Sequence, residues 1–457
     1  MLRFFNTLTN KKEQFASLHK GEARLYHCGP TVYNFAHIGN LRAYVFADVL
    51  RRTLEYGGYR VTQVINITDI GHLSSDADEG EDKMVKGLQR EGLPLTMEGM
   101  NALADKYEAA FRTDLAALNI KTDGTHFPRA SAHIAEEVEI IQKLEQKGIA
   151  YKTSDGIYFD TTRFPSYGTR GGFKLGELKA GARVGVNVEK RTACDFALWK
   201  FAKGELGFPS PWGVGFPGWH IECSAMSRKY LDQPFDIHTG GIDHIPVHHQ
   251  NEIAQSEAAY NTPLAHYWLH SAFVNVSGGE KMAKSEENFL TLRSLTEKGI
   301  HPLAYRYWLL TAHYRSPLTF SWAALQAAQN AYFKILLAFS QWSHTRRVGK
   351  KVADIVSDDL DTPALLAKLH TALKERDVMA VLDVDRIVGL DIENEARKLQ
   401  KEINAVPEEI KEKAVRRETA RARKDFATAD ALREEIRSAG YEIMDTDEES
   451  VVRKKLQ

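Results

Sequence analysis

Apolar positions begin as a short strand, Arg24-Leu25-Tyr26-His27, and then recur at helical spacing at Leu41, Val45, Phe46, Val49, Leu50 and Leu54. A loop of glycine, proline and asparagine joins the two. Gly57-Gly58 ends the helix, and Val61 to Ile67 is rich in β-formers. This strand–loop–helix–strand pattern predicts the opening of a parallel, nucleotide-binding sheet. Met97 to Leu118 reads as a helix. From about residue 120 to 210 the pattern changes to short strand-like pieces, such as Gly156 to Asp160, and a glycine-rich run from Tyr167 to Gly181. That stretch is expected to be an insertion between two halves of the sheet. Trp219 to Tyr260 resumes the α/β pattern, with Phe235 to His238 a strand before Thr239-Gly240-Gly241. Ser321 to Phe339 is a helix with one apolar face, His344 to Ser357 a basic linker, and everything from Asp358 helix-rich and charged. In that tail Arg416, Arg417, Arg421, Arg423 and Lys424 form a local basic run, and Phe426, Ala429, Leu432 and Ile436 recur at helical spacing and are expected to face a core. The predicted fold is α/β: a Rossmann-like parallel sheet with an insertion, followed by α-helical C-terminal domains.

Length and composition narrow the class. A chain of 457 residues implies about two to four domains. With 43% hydrophobic and 26% charged residues it has an ordinary globular composition. A net charge of −1 draws in no nucleic acid globally, so an RNA partner needs local basic patches. Three cysteines, Cys28, Cys194 and Cys223, cannot build a disulfide framework, which favours a reducing, cytoplasmic setting. No apolar run approaches the ~20 residues of a membrane span, and the start of the chain lacks a signal-peptide core. No membrane partner is expected.

Candidate chemistry lies in segments far apart in the chain. Cys28-Gly29-Pro30-Thr31-Val32-Tyr33 runs into His37-Ile38-Gly39-Asn40, and Lys281-Met282-Ala283-Lys284-Ser285 follows much later. His37 and Asn40, at a loop-to-helix junction, can donate hydrogen bonds to phosphates, and the helix N-terminus adds partial positive charge. Gly39 lets a ligand approach. Lys281 and Lys284 bring mobile charge. Gly240-Gly241-Ile242-Asp243 is a simple turn on one reading; on the other, its glycines admit adenine or ribose and Asp243 accepts from a ribose hydroxyl. Cys223, His248 and Glu252 can join Cys28 as four zinc ligands, His248 and Glu252 sharing one helix face. Spacing does not establish that site, since a histidine and a glutamate four apart usually make a solvated helix face. Together the segments suggest an enzyme that activates a small thiol compound with ATP.

In order along the chain, these segments resemble the cysteinyl-tRNA synthetase family of class I aminoacyl-tRNA synthetases. The resemblance also runs through Asn6-Thr7-Leu8-Thr9, Asn66-Ile67-Thr68-Asp69, Asp195 to Lys200, Gly218 to Met226 and His248 to Ser256. It ends with Asp430-Ala431-Leu432-Arg433 and Gly440-Tyr441-Glu442-Ile443, and implies that Ala414 to Ser438 forms a helical arm. It implies zinc, one per chain, on Cys28, Cys223, His248 and Glu252. It implies cysteine beside Gly29, Thr68 and Trp219. It gives His37, Gly39, Asn40, Gly241, Asp243 and Lys284 to ATP, which enters with magnesium, and makes His37, Asn40, Lys281 and Lys284 catalytic. The implied reaction is activation of L-cysteine to cysteinyl-adenylate and transfer to the 3′ end of tRNA(Cys), by a monomer. The implied organisation is 1–120 first catalytic half, 121–210 connective insertion, 211–310 second half with the lysine loop, 311–395 helical bundle and 396–457 anticodon-binding domain. No editing domain is expected. Ala283, Thr239, Pro246-Val247, Phe216 and a long loop from Gly71 to Asp82 depart from the family pattern. Two rivals share the motifs: a ligase joining activated cysteine to an amino sugar, which needs no anticodon module, and an inactive synthetase-like RNA-binding protein, which needs no intact ligand set.

Overall fold

A computed structural model describes residues 1–70, 83–169, 188–202, 204, 206–275, 289–342, 353–445 and 450–455. Lys281, Ala283, Lys284, the loop Gly71 to Asp82, most of the glycine-rich run and most of the basic linker lie outside the described residues.

Strand Glu22–His27 (β1) leads through the Cys28–Tyr33 loop into helix Ile38–Tyr56 (α1) and returns as strand Arg60–Ile65 (β2). Buried Leu41, Val45, Val49, Leu50 and Leu54 form the face of α1 against the main core, which is why the helical spacing seen in the sequence is real. Helix Met97–Ala117 (α2) leads to strand Thr125–His126 (β3). Helix Ile134–Gln146 (α3) then opens the insertion, whose strands Ala150–Lys152 (β4), Gly156–Phe159 (β5), Phe196–Phe201 (β6) and Gly215–Pro217 (β7) form an antiparallel sheet in chain order. Helix Trp219–Leu231 (α4), strand Phe235–Gly241 (β8), helix His248–Tyr260 (α5) and strand Ala265–Ser271 (β9) complete the main sheet. Its order is β9-β8-β1-β2-β3, every pair parallel. The order reverses at β1, with β8 on one side and β2 on the other, so the crevice beyond the C-terminal end of β1 is where such a sheet receives a ligand. Thr239-Gly240-Gly241 lies inside β8, pairing with β9, instead of forming the turn after it.

Beyond helices Leu292–Glu297 (α6) and Pro302–Leu310 (α7), the chain is a succession of helices: Trp322–Ser340 (α8), Thr362–Lys374 (α9), Val378–Val388 (α10), Ile392–Asn404 (α11), Glu408–Ala422 (α12) and Phe426–Ser438 (α13). The basic linker's end, Ala353–Val356, is itself a short helix. Two corrections concern the tail. The helical arm expected from Ala414 to Ser438 is built of two helices, because Lys424 adopts a left-handed φ of 62° and the Asp425 side chain caps α13 by accepting from Thr428 N at 3.1 Å. Phe426 does not face the core. It stands at the start of α13 with 63% of its surface exposed, while Ala429, Leu432 and Ile436 are buried as expected. The tail also ends in an antiparallel hairpin of Tyr441–Asp445 (β10) and Ser450–Lys454 (β11), an element added to the expected helices.

Candidate active site and metal centre

Cys28 leaves the end of β1 and Gly29 makes the turn possible. Gly29 N donates to the Asn66 carboxamide oxygen at 2.7 Å, and a Cβ on Gly29 would lie 1.5 Å from the Asn66 carbonyl oxygen. Val32 N donates to Thr68 O and Thr68 N to Pro30 O, each at 3.0 Å, fixing this loop against the chain after β2. His37 then caps α1: its Nδ1 accepts from Asn40 N at 3.1 Å. With Nδ1 accepting, the neutral ring carries its proton on Nε2, leaving that nitrogen as the donor. Gly39 and Asn40 sit in the first turn, where the helix dipole suits an anion, although Ile38 N is taken by Leu290 O at 2.8 Å and Asn40 N by His37.

Across the crevice, α4 presents Cys223 and α5 presents His248 and Glu252, one turn apart. Cys28, Cys223, His248 and Glu252 are all buried, and one ligand atom from each falls within 4.8 Å of the others. His248 Nε2 lies 2.9 Å from Glu252 Oε1. A second set, Cys28, His238, His249 and Glu252, meets the same criterion. The two sets differ in what they face. Cys28, Cys223 and His248 line the central cavity, whereas His238 and His249 lie behind it. His238 Nε2 reaches Glu252 Oε2 at 2.8 Å, and its ring stacks on Trp268 at 4.4 Å. His249 Nδ1 lies 2.7 Å from His270 Nε2, whose ring continues to Thr7 Oγ1 at 3.0 Å. His220 Nδ1 meets His248 Nδ1 at 2.9 Å. These outer imidazoles orient the inner groups, as a layer of partners does around metal ligands.

Burial opposes ionisation of both thiols, but only one resists it. At Cys223 the Cys28 hydrogen bond and nearby His248 outweigh burial and bring the thiol down to about 6. Burial then pushes Cys28 well up, helped by the thiolate beside it and by Glu252. His248 is raised to about 10, the Glu252 and Cys223 charges overcoming burial. Glu252 is held below the usual carboxylate range by His238 and His248 despite burial. His27, His220, His244, His249 and His270 are all depressed, chiefly by burial, and so stay neutral. Cys223 as thiolate and Glu252 as carboxylate are already in zinc-binding form; Cys28 and His248 would give up their protons to a bound ion, as thiol and imidazole ligands do, so the donor set fits zinc.

The cavity between these groups measures about 470 Å³. It brings together Cys28, Gly29, His37, Gly39, Asn40, Trp219, Cys223, Gly241, Asp243 and His248 from the residues singled out in the sequence. Trp219 packs its ring 4.2 Å from that of His248, with Lys83 Nζ 5.8 Å from the indole centre. Thr68 and Glu252 do not line it. Thr68 is buried, and its hydroxyl donates to Glu222 Oε2 at 2.8 Å. Sequence reasoning missed Asn66, Glu222 and Lys83 in these roles, as well as His27 and His270. The crowd of histidines from His220 to His249 was the signal for part of the outer layer; the others had none of their own.

With this geometry in view, comparisons are decisive. The model for the tRNA synthetases class I (C) catalytic domain matches residues 14–330. The chain belongs to the class I cysteinyl-tRNA synthetase family. It is 45% identical to cysteine--tRNA ligase 1 of Burkholderia lata, over 98% of this chain and 96% of that protein. It is 41% identical to the cysteine--tRNA ligase of Treponema denticola, over 97% and 98% respectively. The similarity of this synthetase to both therefore includes its helical tail. The methionyl-tRNA synthetase of Mycobacterium tuberculosis, solved with methionyl-adenylate, shares the fold at a TM-score of 0.54 and 15% identity, over 83% of this chain and 84% of that one. No helix among the described residues is long and apolar enough to cross a membrane.

Proposed function

We propose that this synthetase activates L-cysteine with ATP and passes the cysteinyl group to the 3′ end of tRNA(Cys). The observation that carries the reading is one cavity bordered by a thiol-rich donor set on one side and a capped helix N-terminus on the other. Cys28, Cys223, His248 and Glu252 would hold zinc. When bound, zinc would favour the thiolate form of the substrate sulfur, which serine's hydroxyl matches poorly. The set facing the cavity is preferred over the one containing His238 and His249, because a substrate must reach the ion. Gly29 and Trp219 would flank the amino acid. Thr68 would act through its bond with Glu222 on the loop that carries Gly29.

ATP with magnesium would lie against α1. The cysteine carboxylate attacks the α-phosphate and pyrophosphate leaves, so negative charge grows on the phosphates. The N-terminal dipole of α1, the Nε2 donor of His37 and the Asn40 side chain would meet that charge, with Lys281 and Lys284 acting on the departing pyrophosphate. Gly241 and Asp243 would receive the nucleoside. The domain limits read from the sequence, with 396–457 as the anticodon-binding region, belong to the same proposal, as do a monomeric state and a cytoplasmic setting. At the α12–α13 turn, Arg423, Lys424 and Phe426 are exposed together, a combination suited to phosphate contact and base stacking. Arg417, from the same basic run, is instead buried against Ser450. Nothing in the comparisons favours the amino-sugar ligase or the inactive protein.

Cysteine-dependent exchange of pyrophosphate into ATP, followed by charging of bulk tRNA, tests the reading. Exchange without charging would favour the amino-sugar rival; neither activity would favour the inactive one.

A further inference from the structure

A second cleft of about 690 Å³ lies far along the chain from the first, between α8, the end of α6 and the C-terminal α13–β10–β11 unit. Six cations line it, Lys298, Lys334, Arg433, Arg437, Arg453 and Lys455, against the two carboxylates Glu434 and Glu442. On a chain whose net charge is −1, this is a strong local excess of positive charge. The cleft is built as well as charged. Arg453 is 2% exposed, its guanidinium lies 3.6 Å from the Phe333 ring centre, and it pairs with Glu442, yet among the described residues its Nε has no hydrogen-bond partner. Lys298 is held at the rim with Nζ 4.3 Å from the centre of the Trp322 ring.

We propose that this cleft, which shares no lining residue with the central cavity and does not include Phe426, grips the phosphodiester backbone of bound RNA. The inference rests on the proposed tRNA substrate and extends it to a sequence-independent contact. Three features select a polymer backbone. The cations come from three separate parts of the fold, so they suit a strand that passes between those parts. The face of Phe333 is taken up by Arg453, which leaves that ring unable to stack on a base. The Lys298 side of the cleft follows directly on α6, whose capping residue Thr291 pairs with His37 by a β-bridge. A helix of six residues, about 9 Å long, thus separates the nucleotide loop from the cleft wall.

Arg437 and Lys455 are exposed, so Arg437→Gln and Lys455→Gln test the cleft without emptying a core. In the full-length protein, each is expected to weaken tRNA binding several-fold and to flatten the slope of log K against log salt by about 1. The loss should be equal for tRNA with the native and with a substituted anticodon, and cysteine-dependent pyrophosphate exchange should not change. Arg437→Lys should restore binding, since a phosphate contact needs the charge more than the fork. Unchanged affinity and slope would overturn the proposal, as would a loss confined to one anticodon. Titration with inorganic pyrophosphate separates the other source of phosphate. A pyrophosphate site abolished by the variants while tRNA binding persists would make the cleft a small-anion site and overturn the RNA assignment. Failure of the parent protein to exchange pyrophosphate with cysteine would strike the proposed reaction instead, and is read independently.

Discussion

Two buried polar clusters flank α1, and they are satisfied to very different degrees. Along its C-terminal half, Asp48 accepts from Arg52 Nε at 2.7 Å, from Lys121 N at 2.9 Å and from Arg306. Arg306 donates further to Val388 O and Leu118 O at 2.7 and 2.8 Å, and Arg52 to Asn119 O at 2.6 Å. Among the described residues no buried side-chain nitrogen or oxygen of Asp48, Arg52 or Arg306 lacks a partner. Near the N-terminus of α1, by contrast, His27 Nε2, His220 Nε2, Glu222 Oε1, His238 Nδ1 and His244 Nδ1 are all buried without a partner among the described residues. An unpartnered buried polar group costs about 1–3 kcal/mol. The first cluster is a finished joint between the catalytic sheet and the helical bundle. The second carries unspent polar capacity, which is what a site kept for a ligand looks like.

The comparison breaks first at the joint. Asp48→Ala strands two buried guanidinium groups and is expected to cost about 3–5 kcal/mol, seen as a lower urea midpoint. A loss below about 1 kcal/mol would mean the joint is no more closed than the site. Its pH dependence has a definite sign. Arg306 and Arg52 hold the Asp48 carboxyl below its usual range despite burial, so its contribution is complete above the unfolded value near 4 and is lost as pH falls through the lower folded value.

At the site, His248→Ala should lose zinc and lower cysteine-dependent pyrophosphate exchange by about 100-fold, or about 2.7 kcal/mol. Metal analysis beside the exchange assay reads both. Full zinc content in the variant would remove His248 from the ligand set.

His238→Gln sharpens the choice between the two donor sets. As an outer partner of Glu252, its replacement should weaken metal affinity by about 10- to 100-fold yet leave metal bound at saturation. Complete loss at saturating zinc would move the ion to the set that contains His238 and His249.

The smallest effect is expected at Asp385, which lies in the same bundle as the joint but shifts the other way. Burial raises its carboxyl to about 6 against backbone hydrogen bonds from Ile392 and Leu390. A folded value above the unfolded one means stability is highest below about 4 and declines as pH rises through about 6. Asp385→Asn should flatten that decline, measured as the difference in melting temperature between pH 4.5 and pH 7. An unchanged difference would leave Asp385 outside the pH response.

Much of this protein was legible because its signals are local. The spacing from Leu41 to Leu54 made α1, and the glycine, histidine and asparagine around its start marked the loop that became one wall of the cavity. Cys28, Cys223, His248 and Glu252 could be named as a group, although nothing in their spacing brought them together. What escaped depended on partners far away. Phe426 follows the helical spacing of Ala429, Leu432 and Ile436, but it opens its helix just after the left-handed Lys424 and the capping Asp425, and most of its surface is exposed. The β10–β11 hairpin lies in a charged tail whose composition reads as helix.

The sequence by itself determined the order of strands and helices through the catalytic sheet, the residue types able to hold a thiolate and a phosphate, and the family to which the chain belongs. These follow from backbone preference, periodicity and side-chain chemistry, each set within a few residues. Only the tertiary structure decided which groups share a cavity and which merely support it. Parallel pairing sets Thr239 beside His27, and α4 against α5 brings His220 to His248. Burial then depresses most of the surrounding imidazoles while Glu252 and Cys223 raise His248. Those shifts depend on dielectric and distance, which arise only when segments hundreds of residues apart exclude water together.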